Sequence, residues 1–250
     1  MDLDPALAAL RPLGAFFVLR TDPSDASGPG RTDLPTLADT YACGPSDVHG
    51  GTLTARVDEV AARLRAPQPR VVASIAQQGL AARLWSGALG CAALYGGLPD
   101  LDPRLLRWDV GASAPDDLWL TEVRPRPGDA GTLARTVLHG HLVPLAAALR
   151  ARYGVATGLL WGNAGSALAG AARELDRWAR ANGRTDVAHR AGALTTDLFA
   201  HPLLRATGTR TGTAFRRRSC CLYYRMPGGG VCGDCCFTRP PRSSPGAASG

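Results

Sequence analysis

Five of the seven cysteines fall between residues 220 and 236, in the stretch R-R-R-S-C-C-L-Y-Y-R-M-P-G-G-G-V-C-G-D-C-C that begins at Arg216. The order is Cys220-Cys221, ten residues, Cys232, two residues, Cys235, with Cys236 adjoining. A C-x-x-C pair lets two thiolates converge on one metal centre from a tight loop, which Gly233 eases. The ten-residue excursion through Met226-Pro227-Gly228-Gly229-Gly230 can fold back and close the site. Thiolates packed this densely repel one another unless a cation neutralises them, and they prefer soft metals and iron–sulfur clusters. Buried free cysteines are the ordinary alternative, and so many thiols at this spacing argue against it. Spacing alone leaves zinc and an iron–sulfur cluster both open. Zinc usually pairs C-x-x-C with a second knuckle or with histidines, and an adjacent Cys-Cys suits that poorly. The spacing also departs from the common ferredoxin patterns.

The charge is concentrated in the same segment. All 28 basic residues are arginine, for a net charge of +7. From His201 onward there are eight arginines and a single acid, Asp234, so the first 200 residues are balanced at 20 arginines and 20 acids. A general nucleic-acid-binding field is therefore excluded, while a local patch can still attract an anion. A run such as Arg216–Arg218 is ordinarily solvated surface.

The segment Arg217-Arg218-Ser219-Cys220-Cys221-x10-Cys232-Gly233-Asp234-Cys235 resembles the C-terminal signature of FhuF-like ferric-siderophore reductases, whose motif is C-C-x10-C-x2-C. Upstream, Leu142-Val143-Pro144-Leu145 and Leu159-Leu160-Trp161-Gly162-Asn163 are similar to the family's middle region. The resemblance runs from about residue 71 to 238 and leaves residues 1–70 unplaced. It implies one [2Fe–2S] cluster held by Cys220, Cys221, Cys232 and Cys235. Cys236 is then a spare thiol or an alternative to Cys235. It further implies one-electron reduction of a chelated Fe(III), with a ferric siderophore, of hydroxamate type by family expectation, as substrate. Such a cluster carries −2 when oxidised and −3 when reduced, so nearby positive charge favours the reduced form. Arg216, Arg217, Arg218 and Arg225 are placed in sequence to supply it, or to attract the substrate, and the amides of Gly228–Gly230 are candidate donors to cluster sulfurs.

With no G-x-G-x-x-G motif, the chain needs a separate electron donor such as a ferredoxin or flavin reductase. Two rival readings stay in view. One is a zinc-stabilised protein whose arginine-rich end grips nucleic acid or another anion. The other is a siderophore-binding protein without turnover.

The elements that must carry this segment read as an α+β, helix-dominated single domain with a few short strands. Residues 71–212 form the helix-rich core, 213–238 the cysteine-rich cluster-binding segment and 239–250 a flexible tail. Residues 5–12 suggest a short helix, Ala15–Arg20 a strand, Asp22–Asp33 a loop and Thr52–Leu64 a helix. Val71–Tyr95 carries a buried stripe at i, i+3/i+4 spacing and stops at Gly96-Gly97 and Pro99. Leu105–Val110 and Asp117–Val123 read as paired strands. Thr132 is a candidate cap for a helix with Leu133, Val137, Leu138, His141 and Leu142 on one face. Pro144 must kink or restart that helix, and Gly154 ends it. Thr157–Trp161 reads as a short strand-like apolar piece. Asn163 is a candidate N-cap for a helix with Leu168, Ala171, Leu175 and Trp178 inward, ended by Asn182-Gly183.

Three further features carry little weight. His139 and His141 are two apart and point to different faces. Cys43 and Cys91 are isolated, and Cys91, on an apolar face, reads as a packing residue. For Trp161 the family resemblance implies a structural part near the cluster lobe. The start Met1-Asp2-Leu3-Asp4 lacks a signal pattern, and the apolar runs fall short of a membrane span, so the expected location is the cytoplasm.

Overall fold

The computed structural model describes residues 7, 9–21, 33–42, 51–66 and 68–241. In chain order the helices are α1 (Leu37–Tyr41), α2 (Thr52–Leu64), α3 (Pro69–Tyr95), α4 (Ala130–Leu133), a π-helical stretch (Ala134–Leu142), α5 (Val143–Tyr153), α6 (Thr157–Ala181) and α7 (Thr185–Ala200). The strands are β1 (Arg20–Thr21), β2 (Gly97–Pro99), β3 (Leu106–Trp108), β4 (Leu118–Leu120), β5 (Pro125–Pro127), β6 (Gly208–Thr211) and β7 (Ala214–Arg217). They form three small sheets: β1 parallel to β4 with β3 antiparallel on its other side, the pair β2–β5, and the hairpin β6–β7. The helix-dominated α+β reading holds, and no helix among the described residues is long and apolar enough to cross a membrane.

Helix α3 is the axis of the molecule. Pro69 lies in its first turn, where the missing N–H costs nothing, and Gly96 ends it in the left-handed region at φ +70°. The stripe predicted there is in fact part of a helix buried on nearly every side, from Val71 to Ala93. Such all-round burial belongs to a central helix. Arg83 is the most heavily bound of its buried polar members. The Arg83 guanidinium pairs with buried Asp117 at 2.8 Å and donates to the carbonyls of Ala15 (3.1 Å), Phe16 (2.6 Å) and Val18 (2.8 Å).

That capture explains why the expected strand Ala15–Arg20 is absent. Gly14 at φ +108° turns the chain into a 3-10 turn over Ala15–Phe17, and only Arg20–Thr21 pairs as strand. Carbonyls that a ladder would have used are taken by a residue more than sixty positions away. Of the predicted 5–12 helix, Leu7 is helical, Ala9–Leu10 form a turn and Arg11–Leu13 a 3-10 turn, while residues 5, 6 and 8 lie outside the described residues. The 22–33 loop, except Asp33, lies outside the described residues, as do Cys43 and the tail from 242.

Several other expectations are met. Helix Thr52–Leu64 forms as read, the strand pair appears as β3 and β4, and Gly154 and Asn182-Gly183 end their helices. Helix α5 restarts around Pro144, as the missing donor requires. The cap of α4 is Asp129 rather than Thr132: its carboxylate accepts the Thr132 N–H at 2.8 Å and the Thr132 hydroxyl at 2.7 Å. Two helices lie outside the expected elements, α1, capped by a Thr36–Asp39 box, and α7. The signal for α7 was present in Val187, Ala191, Leu194 and Leu198, which share its buried face.

The two histidines do face apart. His139 is exposed and meets His201, whereas His141 is buried, with Nε2–H donating to the Leu101 carbonyl and Nδ1 accepting from the Tyr41 hydroxyl at 2.9 Å. Burial pushes the His141 imidazole down to about 4, against opposing pulls from the Leu101 carbonyl and Asp102. A group whose folded value is depressed is bound by more protons when unfolded, so its contribution is complete above pH ~6.5 and is lost as pH falls toward 4. Stability should therefore drop by about 2 kcal/mol between pH 7.5 and 5 through this residue. Urea midpoints of the parent and His141→Gln across that range measure it, and equal slopes for the two would refute the assignment.

Candidate metal centre

The cysteine segment lies on α6 because that helix presents almost no side-chain bulk to it. A Cβ at Gly162 would collide with the Ser219 hydroxyl and stand 3.2 Å from the Arg217 guanidinium. One at Gly165 would reach the Thr207 hydroxyl at 2.5 Å and Phe215 at 3.3 Å. Ser219 donates to the Gly158 carbonyl at 2.9 Å on the same face. The hairpin β6–β7 thus seats directly on the helix and delivers Arg217 at its end. A backbone bond then joins the two halves of the motif, Arg217 N–H to the Asp234 carbonyl, and another, Arg218 N–H to the Thr207 carbonyl, closes the base of the hairpin, each 2.9 Å.

Asp234, between Cys232 and Cys235, is buried with its carboxylate turned toward α6. It accepts the Ser166 hydroxyl at 2.6 Å and pairs with Arg173 at 3.2 Å. The C-x-x-C turn itself closes through Cys235 N–H to the Cys232 carbonyl at 3.0 Å. On the other side, Leu222 takes a left-handed conformation at φ +68°, followed by a 3-10 turn over Tyr223–Arg225.

The thiols are gathered here. Cys221 is buried, and Cys220, Cys232, Cys235 and Cys236 are half-buried. The Cys221 and Cys232 sulfurs stand 3.6 Å apart. Two thiolates on one tetrahedral metal with bonds of ~2.3 Å lie about 3.8 Å apart, so this pair fits one such ion. Among the described residues no three His, Cys, Asp or Glu side chains are arranged around a single ion. A two-iron cluster asks instead for thiolates two at a time. The Cys221 thiol is lowered to about 6 by its hydrogen bond with Cys232, helped by the Tyr223 amide and the charge of Arg217, while its partner Cys232 is raised. Cys220 and Cys236 are raised, chiefly by burial.

Amide donors to sulfur come from a place the sequence reading did not anticipate. Leu222 N–H donates to Cys220 Sγ at 3.2 Å and Phe237 N–H to Cys235 Sγ at 3.4 Å. Each follows its cysteine by two residues, where a turn aims the amide back at the sulfur. Of the Gly228–Gly230 amides, that of Gly229 instead closes a turn onto the Met226 carbonyl at 2.8 Å.

The four arginines separate into two kinds. Arg217 is 2% exposed. It donates to Asn163 Oδ1 at 2.5 Å, with longer contacts to the Leu159 carbonyl (3.4 Å) and Gln78 Oε1 (3.5 Å). Its Nε is buried without an acceptor, and its charge acts on Cys221, Cys232 and Cys236. A buried cationic donor lacking an acceptor, beside closely spaced thiols, fits a sulfur-rich anionic group. Arg216, Arg218 and Arg225 are exposed, with Arg216 reaching the Cys236 carbonyl at 3.2 Å and Arg225 lying over the Tyr224 ring.

Asn163 is no N-cap. It lies well inside α6, which begins at Thr157 and so absorbs the strand-like piece 157–161. Fully buried, it donates to the Ser74 carbonyl (2.9 Å) and hydroxyl (3.0 Å), and Ser74 donates to the Cys221 carbonyl at 2.8 Å. Asn163 and Ser74 therefore join α3, α6, Arg217 and Cys221. The motif Trp161-Gly162-Asn163 drew attention to the place but not to this role. Trp161 packs half-buried against the core, and Cys91 is buried, its thiol pushed up to about 12 by desolvation.

Comparison with known families gives two matches. Residues 60–211 match the family described as ferric iron reductase FhuF-like transporter, and residues 217–237 match the FhuF 2Fe-2S C-terminal domain. No curated protein matches the chain. The second match covers the five clustered thiols together with Arg217, Arg218 and Arg225, so the cofactor is a [2Fe–2S] cluster. Since the first covers more than half of the chain, the protein belongs to the FhuF-like ferric iron reductase family.

Proposed function

We propose that this protein reduces the Fe(III) of a ferric siderophore to Fe(II), one electron per chain, and so frees the iron in the cytoplasm. The observation that supports this reading best is the buried Arg217 beside the paired sulfurs of Cys221 and Cys232. In it, Cys220, Cys221, Cys232 and Cys235 hold the [2Fe–2S] cluster and Cys236 is a spare thiol. When bound, the cluster supplies a one-electron couple.

The chain's own residues set the conditions for that couple. Arg217 offsets the negative charge of the sulfur ligands, and Asn163 and Gln78 hold its guanidinium in place. The Leu222 and Phe237 amides donate to ligand sulfurs, which stabilises the more negative, reduced state. Asp234 would oppose this, but Arg173 and Ser166 neutralise it and turn it away. Hard oxygen ligands such as hydroxamates hold Fe(III) far better than Fe(II), so a single electron loosens the metal. The electron lost by the protein is the one gained by the iron. It is replaced from a separate donor such as a ferredoxin or flavin reductase.

The direct test mixes anaerobically reduced protein with a ferric trihydroxamate and a ferrous-specific chromogenic chelator. One ferrous ion per chain is expected, appearing as the oxidised visible spectrum returns. A reduced spectrum that persists would refute the reading. Cys232→Ser should lose that visible spectrum and keep the helical far-UV circular dichroism, because the helical core lies upstream, and full visible absorption in the variant would remove Cys232 from the ligand set. Arg217→Gln should lower the reduction potential by ~50–100 mV, the one-electron equivalent of about 1–2 kcal/mol. Arg217→Lys should recover part of the loss. An unchanged potential in Arg217→Gln would leave the residue a packing role only.

A further inference from the structure

Among the described residues six large hydrophobic side chains are exposed, and three of them, Tyr223 (42%), Val231 (41%) and Phe237 (39%), belong to the cysteine segment. Tyr223 follows Cys221 by two residues, Val231 directly precedes Cys232 and Phe237 directly follows Cys236. With 3.8 Å between consecutive Cα atoms, each Cα lies within about 8 Å of that of a cysteine. Scattered exposed apolar residues are ordinary, but a group of them at one place marks a contact surface.

The charge around them is concentrated. Some exposed arginines elsewhere have carboxylate partners, Arg63 with Glu59, Arg124 with Glu122, Arg177 with Glu174 and Arg184 with Asp186, while among the described residues Arg65, Arg70, Arg150 and Arg205 are single unpaired charges spread along the chain. Arg216, Arg218, Arg225 and Arg239 are exposed too, and among the described residues they form no ion pair. The one acid of the segment, Asp234, is buried and bound to Arg173. Tyr224, next to Tyr223, meets Phe237 at 6.2 Å between ring centroids and carries Arg225 over its face, and Arg216 reaches the Cys236 carbonyl, so apolar rings and unneutralised arginines share this part of the surface.

We propose that this face docks a small acidic protein that carries single electrons. The inference rests on the proposed reductase function, which requires an external donor. An apolar centre within a charged rim is the makeup of a transient protein interface, in which the rim sets the rate of encounter. The projecting side chains suit a protein partner better than a compact chelate, which needs a concave site. A cavity of about 450 Å³ lies away from the segment and one of about 470 Å³ reaches only its inner side at Asp234, and neither is lined by Tyr223, Val231 or Phe237. The Phe237 amide bonds Cys235 Sγ and the Tyr223 amide favours the Cys221 thiolate, so the rings that meet the partner share residues with the thiol contacts.

The test titrates cluster-loaded protein calorimetrically with an acidic plant-type [2Fe–2S] ferredoxin at 20 and 300 mM salt. Dissociation constants should rise at least tenfold at high salt, and by a similar factor in an Arg218→Glu/Arg239→Glu variant at low salt. Phe237→Ser should weaken binding about fivefold while leaving the salt dependence unchanged. Arg184→Glu, which alters a paired arginine elsewhere, should bind as the parent does, and basic cytochrome c should not bind. Visible spectra equal to the parent's show that each variant keeps its cluster. Absence of ferredoxin binding, or equal affinities for parent and the double variant, would overturn the proposal. So would face variants that bind ferredoxin normally but no longer react with ferric trihydroxamate, which would assign the face to the chelate. If the parent binds ferredoxin as expected yet never reacts with the ferric chelate, the docking face stands and the siderophore reading fails.

Discussion

A guanidinium can remain charged inside a protein only where its lost hydration is replaced by fixed acceptors and nearby negative charge. Arg217 meets that condition through Asn163, Leu159 and Gln78 on one side and the thiols on the other. Almost every feature of the cysteine lobe follows from seating it. The glycines of α6 let β7 come close enough, and Ser166 and Arg173 hold the turn that supplies the acceptor for its backbone N–H. Ser74 brings Cys221 to the same place from α3.

Helix α3 fastens irregular backbone with polar side chains at two points. Near its start, Ser74 holds the cysteine segment by a single carbonyl, and in its second half Arg83 holds the N-terminal turns by three. Close packing supports both contacts. Gly90 admits Phe17, whose ring would stand 2.9 Å from a Cβ there, just as Gly162 admits Ser219. A buried polar anchor fixes register and glycine supplies the room, which neither end could achieve with apolar side chains alone.

This division marks how far the sequence could be read. Elements governed by local rules were legible: the stripe of Val71–Tyr95, the stop at Gly154, the restart at Pro144 and the cysteine spacing. What escaped was decided at long range. Ala15–Arg20 has a strand's composition, but Arg83 takes its carbonyls. Asn163 has a cap's chemistry, but its acceptors and donors lie on α3 and β7, so it works inside a helix. Arg217 could not be told from Arg216 and Arg218 by composition. The alternation of β7, in which Phe215 and Arg217 face inward while Arg216 faces out, makes the difference. For α7 the pattern was present, and its buried stripe could have been recognised.

The turn at Asp234 also bears on how the protein is made. Its partners, Ser166 and Arg173, belong to α6, which leaves the ribosome long before the cysteines do. Chains fold as they emerge, earlier segments first. The helical core can therefore stand complete, with the glycine face of α6 open, when the thiol of Cys220 appears. Each cysteine then meets a surface already shaped to receive its loop. Cluster assembly becomes a late step on a finished scaffold, and a nascent chain short of iron would carry its thiols on a folded protein.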